Sequence, residues 1–306
     1  MNLTERQLRM FTTTAALGNI SRASEVLHIS QPALTRALQE FESQLGVPLF
    51  ARTTRRLNLT HEGERFLPVA QRLLSDMRQA LLDLREQSSG LSGTVTLAVG
   101  TAFGSTVLPV ALQRFAVSHP GVRLRVLDDN SAGITARVVR AEADLGIGTP
   151  VGDTRGLDCE RLLSAPLGLL GDAARYRLTA HAGHRELARL PLLKEPSDTS
   201  VSQVLRAHGS ELITLMERGT EVSSLSLQLA LAHAGVGVAV LSALGASHPA
   251  AQGLHFAPLR PRLAREVFLM RRSDRAASPS CRALIDAIRA TVATPPRGLH
   301  PLVKFT

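Results

Sequence analysis

The chain has 306 residues, 44% of them hydrophobic and 20% charged, with a formal net charge of +9. That balance describes a globular protein of two or three domains. No run of eighteen apolar residues occurs and the first twenty positions lack an apolar stretch, so neither a helical membrane span nor a secretory leader is expected.

In chain order, Leu3, Leu8, Phe11 and Leu17 mark a supporting first helix. Ser21 stands where it can cap a second, whose Ala23, Val26 and Leu27 recur at the three- and four-residue spacing of a buried face. His28, Ile29 and Ser30 read as a tight turn, with Ile29 plugging the core and Ser30 capping the next helix. Gln31 and Pro32 fall in that helix's first turn, where a missing N–H costs nothing. Leu34, Leu38, Phe41 and Leu45 form its buried stripe, and Gly46 ends it. Gln31, Ala33, Thr35 and Arg36 then point outward, with groups suited to base edges and phosphates. An amphipathic hairpin with a solvated face would show the same pattern. The next segment tips the balance: Pro48, Leu49 and Phe50, then Arg52, Arg55 and Arg56, closed by Leu57 to Thr60. Two short strands with a basic tip fit a wing lying on the phosphate backbone.

The run from Ala23 to Arg36, the run from Phe41 to Arg52, and Leu59-Thr60-His61-Glu62-Gly63 resemble LysR-type transcriptional regulators, tightly over residues 1–66. Carried over by position, the resemblance implies DNA contacts from Gln31, Pro32, Thr35 and Arg36 on the recognition helix and from Arg52 and Arg55 on the wing. Ser21, Ser30 and Ala33 complete the expected DNA-binding set. Thr35 replaces the family's more frequent serine and keeps the hydroxyl. The implied architecture is an α/β multidomain one: a winged helix-turn-helix domain (1–60), a linker and dimerisation helix (61–89), then a two-lobed, periplasmic-binding-like α/β effector domain. Lobe I is expected over 90–161 and 266–294 and lobe II over 162–265, with a C-terminal tail at 295–306.

Residues 61–89 carry Leu67, Ala70, Leu74, Met77, Leu81 and Leu84 at coiled-coil spacing, with Phe66, Leu73 and Leu82 broadening the stripe. A helix of this length runs about 40 Å. Pairing of two copies along this seam is favoured over packing against the chain's own domain, because a winged domain this small has no spare surface to bury both stripes and a dimer reads two half-sites at once. Residues Ser88 to Gly93 break the helix and read as a hinge.

Bulk charge does not locate the DNA surface. Residues 1–90 hold eleven arginines against nine acidic residues, and the later cluster of Arg260, Arg262, Arg265, Arg271, Arg272 and Arg275 reads as a solvated face.

From residue 93 strands and helices alternate, in the βαβαβ order of a parallel sheet covered on both faces. Strands are predicted at Thr94–Gly100, Val122–Leu127, Leu145–Gly148, Leu162–Leu170, Val236–Leu241 and Val267–Arg271. Helices are predicted near Thr106–Ser118, Ala132–Ala141, Ser200–His208, Ser224–Ala234 and Ser280–Thr291, the last strand and helix returning to the first sheet. The Pro-rich stretch Thr294–Thr306 reads as disordered.

In such sheets ligands sit beyond the strand C-termini. The loop from Gly100 to Thr106 suits a carboxylate or phosphate held at a helix start. The expected effector-binding set is Thr101, Ala102, Phe103, Ser105, Asn130, Gly148 and Thr149 from lobe I, with Ser197, Thr199 and Ser200 from lobe II. A plain Gly/Ser turn is the bland reading of that loop, and Phe103 fits a cavity wall or the core equally.

Gly235-Val236-Gly237 follows a helix and is no dinucleotide fingerprint. His181 and His184 lack further metal ligands, and Cys159 and Cys281 lack metal or thiolate partners. No catalytic signature emerges, and no cofactor or metal is expected. The reading is a cytoplasmic, DNA-binding transcriptional regulator switched by a small-molecule effector, an organic acid being favoured. Its expected partners are double-stranded DNA with a partly palindromic operator, a second copy through the linker helix, a homotetramer by resemblance, and RNA polymerase. An enzyme with a periplasmic-binding-like catalytic domain fused to a DNA-binding module is the alternative.

Overall fold

A computed structural model describes residues 3–52, 57–89, 91–207 and 210–306, and the chain divides into two compact units, Met1–Ser88 with Arg140–Glu142 and Ser89–Val139 with Ala143–Thr306. Arg55 and Arg56 of the expected wing tip, Gly90 of the expected hinge and His208 lie outside the described residues, and of Arg52 only the backbone is described.

The first unit runs α1 (Glu5–Leu17), α2 (Ile20–Val26), α3 (Gln31–Leu45), β1 (Phe50–Arg52), β2 (Leu57–Leu59) and α4 (His61–Ser89). Each start has a polar cause. Thr4 and Gln7 close a capping box on α1. Asn19, not Ser21, caps α2 by accepting the Arg22 N–H at 3.0 Å, which places Ser21 inside the helix. Ser30 caps α3 as expected, and Gly46 closes it at a φ of 74°. Val26 is 60% exposed rather than buried, because the short α2 turns only Ala23 and Ser24 inward. The core is aromatic: the Phe11 ring lies 5.5 Å from those of Phe50 and Phe66 and 6.2 Å from that of Phe41. Burying each such side chain contributes about 1.5–3 kcal/mol.

The linker helix begins and ends where the sequence placed it, with Thr60 accepting the Gly63 N–H at 3.0 Å. Its apolar stripe divides. Ala70 is fully buried in the first unit's own core, with Phe66, Leu67 and Leu74 packed around it. Leu73, Met77 and Leu81 are exposed. The amino-terminal part of the expected dimer seam therefore belongs to the winged domain itself, since Phe11, Phe41 and Phe50 offer α4 an apolar surface within the same chain.

The second unit opens with β3 (Gly93–Val99), α5 (Thr101–Thr106), α6 (Leu108–Ser118), β4 (Val122–Asp128), α7 (Ser131–Val139) and β5 (Leu145–Gly148). Strands β4, β3 and β5 are parallel neighbours, with Val99 beside Asp128 and Ile147, so their C-terminal ends align. The expected loop at 101–106 is a short helix. The long strand β6 (Leu157–Gly171) then leads into the second lobe, built from α8 (Ala173–Tyr176), α9 (His184–Arg189), β7 (Leu192–Lys194), α10 (Ser200–Ala207), α11 (Ser210–Glu217), β8 (Thr220–Glu221), α12 (Leu225–His233), β9 (Val238–Ser242) and β10 (His255–Pro258). Strand β11 (Ala264–Arg272) returns to the first lobe, followed by α13 (Pro279–Ala293) and β12 (Lys304–Phe305).

The sheet order is β4-β3-β5-β11-β6-β9-β7-β8, with β10 and β12 also paired to β6. It is mixed rather than wholly parallel, because β11 enters antiparallel to both β5 and β6. A continuous core joins Leu97, Phe115 and Ile147 to Leu229 and Leu241, with Leu284 and Ile288 of α13 packed into it. The tail is ordered, contrary to its composition. Lys304 and Phe305 pair with Ser164 and Leu163 of β6, Val303 is buried, and the His300 ring stands 4.9 Å from that of Phe256.

Candidate functional site

Two surfaces carry chemistry. On the first unit, Gln31, Pro32, Ala33 and Arg36 are exposed along the amino-terminal half of α3, and Thr35 is half-buried with its hydroxyl donating back to the Gln31 carbonyl at 3.0 Å. Ser21 donates to the Gln31 side-chain oxygen at 3.1 Å, which steadies that side chain from α2. Ser30 is committed to its cap. Arg52 ends β1 opposite Leu57, and Arg55 lies outside the described residues. One positioning group has no signature in the sequence: Glu42 accepts the backbone N–H groups of Leu49 and Phe50 at 2.7 and 2.9 Å. That bond pair ties the root of the wing to the recognition helix.

In the second unit a cavity of about 310 Å³ lies where the strand ends of the first lobe face the second. It takes Gly100, Thr101 and Ala102 from the start of α5, and Asp128 to Ser131 from the turn between β4 and α7. Glu195, Thr199 and Ser200 come from the turn before α10, Ser223 to Leu225 from the start of α12, and Arg265 from β11. The size falls at the lower end for small-molecule pockets. Thr101 donates its hydroxyl to the Asp128 carboxylate at 2.9 Å. Asp129 receives Arg137 Nε at 2.7 Å and the Asn130 N–H at 2.8 Å. Gly133 permits this, since a Cβ there would stand 2.1 Å from the Asp129 carboxylate. Arg265 is steadied by its Nε–H, donated to the Thr149 hydroxyl at 3.1 Å.

Arg265 and Glu195 oppose each other electrostatically. Burial pushes the Glu195 carboxyl above the usual carboxylate range; the Arg265 charge and the Thr199 hydroxyl pull the other way, and Asp198 adds to the rise. Burial likewise lowers Arg265, with the Glu195 charge opposing it.

Of the residues expected around an effector, Thr101, Ala102, Asn130, Thr199 and Ser200 line this cavity. Phe103 does not: it is 2% exposed and fills the core. Ser105 turns its hydroxyl back onto the Thr101 carbonyl. Gly148 packs beneath the Ile134 side chain, and Thr149 acts one step away, through Arg265. Ser197 lines a separate pocket of about 180 Å³ beside α10 and α11. Sequence reasoning missed Asp128, Glu195 and Arg265. The basic run that holds Arg265 reads as a solvated face, and Arg260 and Arg262 are exposed as expected, whereas Arg271 pairs with Asp158 and the largely covered Arg272 with Asp274. Cys159 is exposed and Cys281 buried, and no group of three or more His, Cys, Asp or Glu among the described residues could hold a metal. No described helix is long and apolar enough to cross a membrane.

Both units of the chain match known protein families. Residues 5–64 match the bacterial regulatory helix-turn-helix protein family, lysR family, and residues 88–293 match the LysR substrate binding domain. The chain is 28% identical over 278 residues to the uncharacterized HTH-type transcriptional regulator YbhD of Escherichia coli, covering 89% of this chain and 87% of that one. It is 36% identical over 215 residues to the SDS degradation transcriptional activation protein of a Pseudomonas species, covering 65% and 67%. Among solved structures, full-length OxyR from Pseudomonas aeruginosa aligns with a TM-score of 0.67 at 22% identity, over 100% of this chain and 98% of that one. CbnR, a LysR family transcriptional regulator, aligns with a TM-score of 0.66 at 21% identity, over 95% and 99%. At those identities the likeness speaks for the fold.

Proposed function

The chain belongs to the LysR family of transcriptional regulators, and we propose that it reads its operator with Gln31, Pro32, Ala33, Thr35 and Arg36 and senses its effector in the cavity around Arg265. It is a DNA-binding regulator with an effector-binding domain and not an enzyme. The observation carrying the residue assignment is the exposed amino-terminal half of α3, held by the Ser30 cap and tied through Glu42 to the wing. That arrangement offers a rigid polar ridge of the width that enters a major groove. Arg52 and Arg55 are assigned to the phosphates beside it.

Two copies pair through the exposed Leu73, Met77 and Leu81 of α4, and pairs assemble into a homotetramer that contacts RNA polymerase in the cytoplasm. Effector favours one closure state of the two lobes and thereby shifts the spacing of recognition helices on a partly palindromic site. A coupling of about 1–3 kcal/mol between the two sites is enough. Footprinting of the chain's own upstream region, with light scattering for mass, tests this reading. A protected, partly palindromic site bound by a dimer or tetramer is expected; equal protection of unrelated duplexes, or a monomer, overturns it.

A further inference from the structure

The cavity is lined by one guanidinium and two carboxylates with no direct ion pair among them in the described residues, and this bears on the class of molecule that fills it. The inference rests on reading the cavity as the effector site. Arg265 is oriented by the Thr149 hydroxyl, its Nη2 lying 3.7 Å from where a Gly100 Cβ would stand, and it makes no direct ion pair among the described residues, although the Glu195 charge acts on it. Close by, the first turn of α12 opens into the cavity at Leu225, and the Ser224 side chain makes no capping bond to it. Glu195 and Asp128 line the same cavity, whereas Asp129 is already satisfied by Arg137. Two carboxylates thus face the cavity against one guanidinium. The elevated proton affinity of Glu195 reports the same shortage of positive charge, because burial of its carboxyl is only partly answered by Arg265.

A plain carboxylic acid would answer Arg265 but add a third negative charge beside Glu195 and Asp128. A dicarboxylate or phosphate would add still more like-charge repulsion, and an amine alone would compete with Arg265 for the Glu195 charge and bring no carboxylate to it. The remaining wall is mostly hydroxyl, from Ser131, Thr199, Ser200 and Ser223, with Ala102 and Leu225 the apolar exceptions. We propose that the effector is a zwitterion, a small polar amino acid whose carboxylate meets Arg265 and whose ammonium meets Glu195 and Asp128.

The test uses the full chain and three matched series in calorimetry and thermal shift: the common amino acids, the same acids without the amine, and the same amines without the carboxylate. One amino acid is expected to bind at least tenfold more tightly than both of its truncated counterparts. Arg265→Gln should abolish its binding. Glu195→Gln and, as a check should that variant fold poorly, the surface change Asp128→Asn should each shrink the preference over the amine-free acid severalfold. An amine-free acid that binds as well as any amino acid overturns the zwitterion, as does silence of the amino-acid series. If such an acid is lost with Arg265→Gln, the cavity survives as the effector site; binding indifferent to both Arg265→Gln and Glu195→Gln removes the cavity reading too.

Discussion

Asn130 and Asp198 tie the two lobes together beside the cavity, the Asn130 side-chain N–H donating to the Asp198 carboxylate at 3.1 Å. Asn130 also caps α7 by accepting the Gly133 N–H at 2.8 Å, so replacing it would disturb two features at once. Asp198→Ala removes the tie and leaves the α7 cap in place, at the cost of one negative charge near Glu195. Both groups are exposed, so the loss of stability should stay within about 1 kcal/mol. Hydrogen–deuterium exchange over residues 197–204 should accelerate severalfold while α13 keeps its protection. Unchanged exchange in that segment would show that the tie does not hold the lobes.

Arg36→Ala tests the recognition helix. Arg36 is exposed, and no bond to another described residue is lost with it. Folding and effector binding should be untouched, and operator affinity should fall by about 1–3 kcal/mol, with a shallower salt dependence if the contact is to phosphate. An identical footprint at equal protein concentration would take Arg36 out of the interface.

The divided stripe of α4 predicts two different failures from similar substitutions. Leu81 is 62% exposed, so Leu81→Asp should leave a folded chain of monomeric mass in light scattering. Leu74 packs on the winged domain's own core, so Leu74→Asp buries a carboxylate there and should destabilise that domain by about 3 kcal/mol. A wild-type dimer for Leu81→Asp would disprove the assignment of the exposed seam.

The raised proton affinity of Glu195 gives a signed pH dependence. A carboxyl whose folded value lies above its unfolded one favours the fold at low pH, and that contribution is lost as pH rises through the folded value. Glu195→Gln has no proton to lose. The ligand-free variant should therefore gain in melting temperature over wild type as pH climbs from 5 to 8. A constant difference across that range would mean that Glu195 is compensated in the folded protein.

These contrasts mark what the residues disclose and what they withhold. Local chemistry is legible: Ser30 and Gly46 bound α3, and α4 starts and stops where its periodicity does. A heptad spacing, however, cannot say whether Ala70 and Leu74 meet a partner or their own domain. Arg265 is illegible for a topological reason. It lies in a basic run, and only the antiparallel return of β11 brings it to Thr149 and away from the surface where Arg271 meets Asp158. Glu195 escapes notice because the short β7 before it shows no period to read. The tail defies its composition because composition cannot register an edge: β6 presents unpaired backbone groups at Leu163 and Ser164, and residues 304–305 satisfy them.

Pairing at that edge makes the tail a structural element whose loss should be measurable. Removing residues 295–306 would strip β12 from β6, expose the surface under Val303 and Phe305, and free the Phe256 ring from His300. It would also cancel the bond from the His300 N–H to the Ser247 hydroxyl at 2.9 Å, which anchors the tail to the second lobe. The apolar surface alone is worth about 2–3 kcal/mol. In a domain of this size that should lower the melting temperature by roughly 5–10 °C. The winged domain has its own core and should keep its affinity for DNA half-sites, so the deletion separates stability of the effector domain from DNA binding. A truncated chain that melts with the full-length protein would mean that β12 adds no stability to β6.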